Sequence, residues 1–292
     1  MSTSQKLTGH FLALFTVIVW GSCYVLTKEM LSVFTASQVV PIRMALAYVT
    51  LWILRPKTLK VSWREELQFL LVGLTGGSVY FFVQNQALNY SYAATVSIIV
   101  SLSPIFTLLL AHLFSRTGER LGRMVWVGSA VAIVGVVLVV LNGSLNLHLR
   151  PLGDLLALGA AILWSVYTLL VKSLSEKYDS FLVTRRTMLW SFLTAVPIML
   201  LTDGMPELAP LFTHTNVLLS WIFLSVLGNA VCFAVWNVAI KRLGMVVTSN
   251  YMYLSPFVTL LVGWLVLQEG ITWMGLAGAV LITLGLVLAD RK

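Results

Sequence analysis

Charge is scarce in this sequence. Only 10% of its 292 residues are Asp, Glu, Lys or Arg, against about 25% in an ordinary soluble domain. Such a chain has too little polar side chain to cover a soluble surface. Cysteine is scarcer still. Cys23 and Cys232 both fall inside apolar runs, where they read as small buried side chains and give neither a disulfide framework nor a metal site. The histidines His10, His112, His148 and His214 are scattered. No His-Glu-x-x-His helix, no nucleophile-and-base motif and no pair of intramembrane aspartates is present, which excludes the usual membrane enzymes. Acid is kept out of the middle of the apolar runs. Glu29, Glu65, Glu66, Glu119, Asp154, Glu176, Asp179, Asp203, Glu207, Glu269 and Asp290 all lie in loops or at the ends of runs. Low-complexity tails and a soluble domain are absent too.

What is present is apolar. Hydrophobic residues make up 59% of the chain, and mean hydropathy is +0.92. The apolar runs are continuous rather than alternating, so the expected fold class is an all-α integral membrane protein and not a barrel. Ten runs reach the roughly 20 residues a bilayer requires: 8–28, 37–54, 67–88, 93–114, 122–141, 152–172, 181–201, 215–239, 246–267 and 273–289. The first of them, with Phe11 to Leu26 at its heart, reads as a true span rather than a cleaved signal.

Basic residues orient the spans. With the N-terminus in the cytoplasm, sixteen of the nineteen Lys and Arg fall on the cytoplasmic side, leaving Lys28, Arg43 and Arg150 outside. That bias predicts a multi-pass protein of the inner (plasma) membrane with both termini cytoplasmic. It also accounts for the net charge of +8 without any nucleic-acid partner. Trp52, Trp63, Trp126, Trp221, Trp264 and Trp273 sit near span ends, as interfacial rings do, whereas Trp20 and Trp164 sit mid-span.

The two mid-span tryptophans belong to a repeat. Gly9-His10-Phe11-Leu12-Ala13-Leu14 through Trp20 echoes Gly153-Asp154-Leu155-Leu156-Ala157-Leu158 through Trp164, at an offset of 144. Leu102-Ser103-Pro104 returns as Leu254-Ser255-Pro256 at an offset of 152. Asn85 and Ala87 match Asn237 and Ala239, and Gly128 and Gly135 match Gly278 and Gly285. The order of the echoes is kept, which predicts one five-span unit in 1–145 and a second in 146–292. Five is odd, so the second copy enters the membrane inverted. Exchange of conformations between two inverted halves is the geometry of alternating access. Pro104 and Pro256 each remove a helical hydrogen bond mid-span, and are expected to be hinges.

Ten spans, tryptophan in spans 1 and 6, Ser-Pro in spans 4 and 9, and a glutamate after each of those (Glu119, Glu269) resemble the drug/metabolite transporter superfamily in its EamA branch. The resemblance covers the whole chain. Within that branch the sequence looks most like bacterial amino acid exporters, in particular aromatic amino acid exporters of the YddG type. The resemblance implies two inverted five-helix EamA-like repeats and export of a small solute.

Helical spacing puts polar and aromatic residues on single faces of spans 1, 3, 4, 6, 8 and 9. Such stripes face protein or water rather than lipid. The expected substrate-binding residues are Trp20, Tyr24, Tyr80, Gln84, Asn85, Ser101, Trp164, Tyr167, Asn229, Trp236, Asn237, Tyr251 and Tyr253. For Asn85 and Asn237, helix-to-helix glue is an equal reading. Spans 2, 5, 7 and 10 are plainer and are expected on the outside, with the glycines of spans 5 and 10 permitting close approach. Lys28, Arg43 and Arg186 are expected to snorkel to headgroups, Lys28 and Glu29 forming part of an outer gate in the alternative. With no Lys or Arg expected at mid-membrane, a phosphorylated cargo is disfavoured. Aromatic and amide groups suit aromatic and other large neutral amino acids. The absence of an intramembrane acid predicts a facilitator. No cofactor or metal is expected. A monomer suffices, since both halves share one chain. A multidrug or other small-metabolite exporter is the alternative reading, because aromatic cavities also accept flat cations. A channel fits bulky central rings less well.

Overall fold

The computed structural model describes residues 3–114, 122–141, 151–267 and 272–290. All regular structure among the described residues is helical. Helix α1 (Thr3–Leu31) leads to α2 (Ala36–Leu54), whose start is fixed by a capping box between Thr35 and Gln38. Helix α3 (Trp63–Gly73), capped the same way by Ser62 and Glu65, runs through a π-helical turn (Leu74–Ser78) into α4 (Val79–Tyr90). Helices α5 (Ala93–Val100) and α6 (Ser103–Phe114) are two halves of one broken span, and α7 is Arg123–Leu141.

The second half repeats this order. Helix α8 is Pro151–Lys177 and α9 is Ser180–Thr202, with Asp179 as its cap. After the short α10 (Ala209–Thr213), α11 (Thr215–Ile222) passes through a π-helical stretch (Phe223–Val231) into α12 (Cys232–Leu243). Gly244, at φ 85°, ends it in the left-handed region that only glycine enters freely. Helix α13 (Met245–Asn250), a 3₁₀ turn (Tyr251–Leu254) and α14 (Ser255–Leu267) follow in succession, and α15 is Trp273–Asp290.

By length and composition, six helical stretches among the described residues can cross a membrane: Ser4–Leu31, Ala36–Leu54, Trp63–Tyr90, Thr95–Leu113, Pro151–Lys177 and Thr215–Leu243. Phe11 and Leu155, which match in the repeat, are each 66% exposed on the outside of the bundle, as lipid-facing residues are. Trp63 and Trp273, near span ends, are 73% and 86% exposed.

Both spans carrying Ser-Pro break one turn ahead of the proline. Around Pro104 the bonds tighten to three-residue spacing, Leu102 N–H to Ile99 O and Ile105 N–H to Leu102 O. Before Pro256 the chain forms the 3₁₀ turn, and Met252 O receives the N–H of Ser255. A proline lacks the donor its helix expects, and the preceding turn adjusts in both places.

Helix α4 packs on α8, and α12 packs on α1; α6 also packs on α8, and α14 on α1. Helix α2 lies along α9, and α7 lies along α15, both pairs outside this centre. The last pair touches through glycine. A Cβ on Gly135 would stand 2.6 Å from the carbonyl oxygen of Gly278, and one on Gly285 would stand 2.5 Å from that of Gly128. The close approach expected from the glycine echo is therefore present, in both directions. The α2–α9 pair is tied at both ends. Thr35 and Ser37 donate to Asp203 at one, and Arg55 meets Asp179 at 3.4 Å at the other.

Candidate functional site

The centre of the bundle is a cluster of aromatic rings around a cavity. Trp20, Cys23, Tyr24 and Thr27 come from α1, Arg43 from α2, and Tyr80, Phe81 and Gln84 from α4. Trp164 of α8, Gly228 of the second π-helical stretch, Phe233 of α12 and Met252 complete the wall. The space amounts to about 430 Å³ in total, open space included. The rings touch one another. Trp20 meets Trp164 edge to face at 5.0 Å, Phe233 at 5.4 Å and Trp236 at 5.1 Å between centroids. Tyr80 and Trp164 are 5.3 Å apart, and Trp164 and Phe233 5.5 Å. Such pairs hold their geometry beyond simple area burial.

Backbone irregularity places two of these groups. The π-helical stretch turns the carbonyl of Gly228 towards Trp20, whose Nε1 donates to it at 2.9 Å. The approach needs glycine: a Cβ on residue 228 would meet Cys23 Sγ at 3.0 Å. In the first half, Gly77 in the matching π-helical turn makes room for Ser191 in the same way.

Of the residues singled out in the sequence, Trp20, Tyr24, Tyr80, Gln84 and Trp164 lie on the cavity wall. Gln84 Nε2 donates to the Tyr80 hydroxyl at 2.9 Å. Tyr167, Trp236, Asn229 and Asn237 lie directly behind that wall. The Tyr167 ring is 4.9 Å from Trp164, and its hydroxyl donates to Asn237 Oδ1, whose Nδ2 donates to Thr184. Four others lie elsewhere. Asn85 donates to Ala36 O at 3.1 Å, gluing α4 to α2, and Ser101 turns its hydroxyl back to Ile98 O. Tyr253 packs with Ala132, Val136 and Ile282 beside α7 and α15. Tyr251 meets His10 at 2.8 Å in a separate outer pocket near the start of α1. Pro104 and Pro256 stand at the two breaks. Ser165 donates to Ser103 O at one, and Thr259 donates to Gly21 O at the other. Glu119 and Glu269 lie outside the described residues.

Arg43 departs from expectation. It does not snorkel to the headgroups; it is 2% exposed and turned into the cavity. Its NH2 donates to Asn229 Oδ1 at 2.6 Å, and its guanidinium carbon lies 4.6 Å from the centre of the Phe81 ring. The expectation that no cation reaches the centre is corrected accordingly. Arg186 does stay at the periphery, in a forked pair with Glu66 (2.7 and 3.0 Å), which also accepts from Trp190 Nε1. Lys28 stands 5.8 Å from the Tyr92 ring centre, linking the ends of α1 and α5.

Two further cavity residues, Phe81 and Phe233, carry a signal in the sequence. Phe81 and Phe233 stand at the same offset as Asn85 and Asn237, and their rings are 6.1 Å apart. An aromatic pair at a repeat offset is worth the same attention as the tryptophan pair. Arg43 had no such mark, because it sits on a helix otherwise peripheral. Among the described residues no group of three or more His, Cys, Asp or Glu is placed to hold a metal ion.

Comparison with known proteins identifies the group. The model of the EamA-like transporter family matches twice, over residues 7–141 and 151–289. An uncharacterized transporter of Archaeoglobus fulgidus is 26% identical over 95% of this chain and 96% of its own. A probable terminal-alkyne amino-acid exporter of Streptantibioticus cattleyicolor is 27% identical over 95% and 91%. A probable amino-acid metabolite efflux pump of Salmonella typhimurium is 29% identical over 95% and 93%. A solved crystal structure shares the fold, with a TM-score of 0.76 at 19% identity over 99% of this chain and 97% of that one. These relatives are transporters rather than enzymes. On the strength of two family matches that together span nearly its whole length, this multi-pass membrane protein belongs to the EamA-like transporter family.

Proposed function

We propose that this transporter exports amino acids, aromatic and other large neutral ones above all, by alternating access between two inverted five-span halves. The carrying observation is the pairing of rings at the centre. Trp20 with Trp164, and Phe81 with Phe233, are equivalent residues of the two halves and meet across the cavity. A pseudo-two-fold axis between the halves brings equivalent residues together in this way. The reciprocal packing of α4 on α8 and α12 on α1 supports the same symmetry, as does a family model that matches each half separately.

In this reading residues 1–145 and 146–292 are the two repeats, and ten spans cross the inner membrane with both termini in the cytoplasm. Pro104 and Pro256 are the hinges. Trp20, Trp164, Tyr24, Tyr80, Gln84 and Phe233 contact cargo, while Tyr167, Trp236, Asn229 and Asn237 hold the wall from behind. Asn85, Ser101, Tyr251 and Tyr253 serve helix packing. One protomer suffices. Two relatives are named for amino-acid export or amino-acid metabolite efflux, which favours that cargo class. Among the described residues no carboxylate lines the cavity, which favours a facilitator over proton coupling and disfavours cationic drugs.

Flux into proteoliposomes of the purified protein tests this, with labelled phenylalanine, tryptophan, threonine and lysine compared side by side. Saturable flux of the aromatic pair, greater than that of lysine and indifferent to an imposed pH gradient, is the expected result. Uphill accumulation driven by that gradient contradicts the facilitator. If no amino acid moves but a flat organic cation does, the multidrug reading replaces this one.

A further inference from the structure

Arg43 is the charged side chain among the described residues of the cavity wall, and none of them matches its charge there. At 2% exposure an arginine is costly to bury without an anion. One donor group is used, NH2 to Asn229. The N–H donors of Nε and NH1 have no hydrogen-bond partner among the described residues. The group is held rather than loose. Phe81 lies under the guanidinium, and Asn229 is oriented by its own amide, which donates to Met44 Sδ at 3.6 Å.

The arrangement exists in one half only. Gly77 stands where the repeat puts the counterpart of Asn229, and the Ser191 hydroxyl fills the space a side chain there would need. The nearest arginine of the second half, Arg186, is spent on Glu66. At this place the symmetry of the cavity is broken by a fixed cation with open donors.

The opposite charge has no such provision. Among the described residues nothing acidic lines the cavity, so a cargo ammonium finds ring faces and hydroxyls there but no counter-ion. We propose that Arg43 anchors a cargo carboxylate, and that the carboxylate, not the amine, is what the cavity recognises. The substrate class then extends past amino acids to aromatic and large apolar carboxylates whose amine is acylated or missing. This rests on the exporter reading above.

The experiment needs only the wild-type protein in its first arm. Thermal stabilisation by each compound is read, alongside competition with labelled phenylalanine flux. N-acetylphenylalanine and 3-phenylpropanoate keep the carboxylate and lack the ammonium; phenylalaninamide and 2-phenylethylamine do the reverse. The two acids should bind within about tenfold of phenylalanine, and the two amines at least about tenfold more weakly, the usual weight of a charge-assisted hydrogen bond. In the second arm, Arg43→Gln weakens binding of the acids by about ten- to a hundredfold and leaves the amines unchanged, with partial rescue by Arg43→Lys. Amines that compete as well as the acids, while phenylalanine still crosses the membrane, overturn the anchor and leave the exporter standing. Acids that stabilise the protein through Arg43 without any flux of phenylalanine do the opposite.

Discussion

Trp20 and Trp164 stand edge to face with their ring centroids 5.0 Å apart, although 144 residues of chain separate them. The sequence echo matches one to the other, and both line the cavity. Trp164 is 1% exposed and touches Tyr80, Tyr167 and Phe233 as well. Trp164→Ala should therefore abolish flux and cost about 3–5 kcal/mol of stability, while Trp164→Phe keeps the fold and part of the rate. Flux of labelled phenylalanine and the unfolding temperature, measured on both variants, decide it. Full flux through the alanine variant removes Trp164 from the pathway.

The glycine contacts of α7 and α15 allow a cleaner test of packing. Gly135→Ala and Gly285→Ala each thrust a methyl group against a carbonyl oxygen. Overpacking of this kind costs about 1–3 kcal/mol. Gly159 is the control: a Cβ there meets only Val83, at an ordinary 3.7 Å. Gly159→Ala should be neutral or stabilising by up to about 1 kcal/mol, from helix propensity. Equal unfolding temperatures for all three variants would show that the α7–α15 contact is looser than described.

Acid should weaken the junction of α3 with α8 in a defined window. Glu65 precedes the apolar run that begins at residue 67. Lys177, the Ser62 backbone N–H, the Tyr178 hydroxyl and the Ser62 hydroxyl all donate to its carboxylate and hold its pKa down to about 2. A depressed carboxylate contributes fully above its unfolded value, about 4.3. That contribution is lost as pH falls towards about 2. The unfolding temperature of the wild type should drop across that window, and Glu65→Gln should flatten the drop. Parallel acid profiles for the two proteins would contradict the assignment. The pair is exposed, so the effect at neutral pH is small.

Two hydroxyls brace the proline breaks. Ser165 donates to Ser103 O at 2.8 Å, and Thr259 donates to Gly21 O at 2.9 Å. Each bond crosses between helices beside a break. Ser165→Ala and Thr259→Val should each cost about 1 kcal/mol and change the transport rate, with protein folded and inserted as before. Unaltered rates in both variants would mean that the breaks do not move during transport.

Much of this was legible in the sequence, and the reason is symmetry. The tryptophan, Ser-Pro and glycine echoes located the centre, the two breaks and the α7–α15 crossing. Gly9 and Gly153 show what an echo records: a Cβ on Gly9 would crowd Leu243 at 2.9 Å, and one on Gly153 would crowd Ser91 at 2.8 Å. Helical faces were a poorer guide. Spacing of 3.6 residues puts Tyr253 on one face with Pro256, but the 3₁₀ turn at 251–254 re-aims it towards α7 and α15. Periodicity of 3.6 residues fails where the helix itself changes pitch. The π-helical stretches were invisible for a related reason, since tertiary approach at Gly77 and Gly228 creates them rather than local preference. Arg43 escaped because depth cannot be read from distance to a span's end when the helix borders a cavity.

Cys23 offers the most direct test of the central claim, that this aromatic cavity is where cargo sits. It lies on the cavity wall beside Trp20 and Arg43, while Cys232, the other cysteine, is fully buried. In a Cys232→Ala background, reaction of Cys23 with a small thiol reagent is followed in sealed proteoliposomes with and without phenylalanine. Saturating phenylalanine should slow the reaction severalfold, with a concentration dependence that matches flux. A labelling rate that phenylalanine leaves untouched, in protein that still transports it, would place the cargo elsewhere.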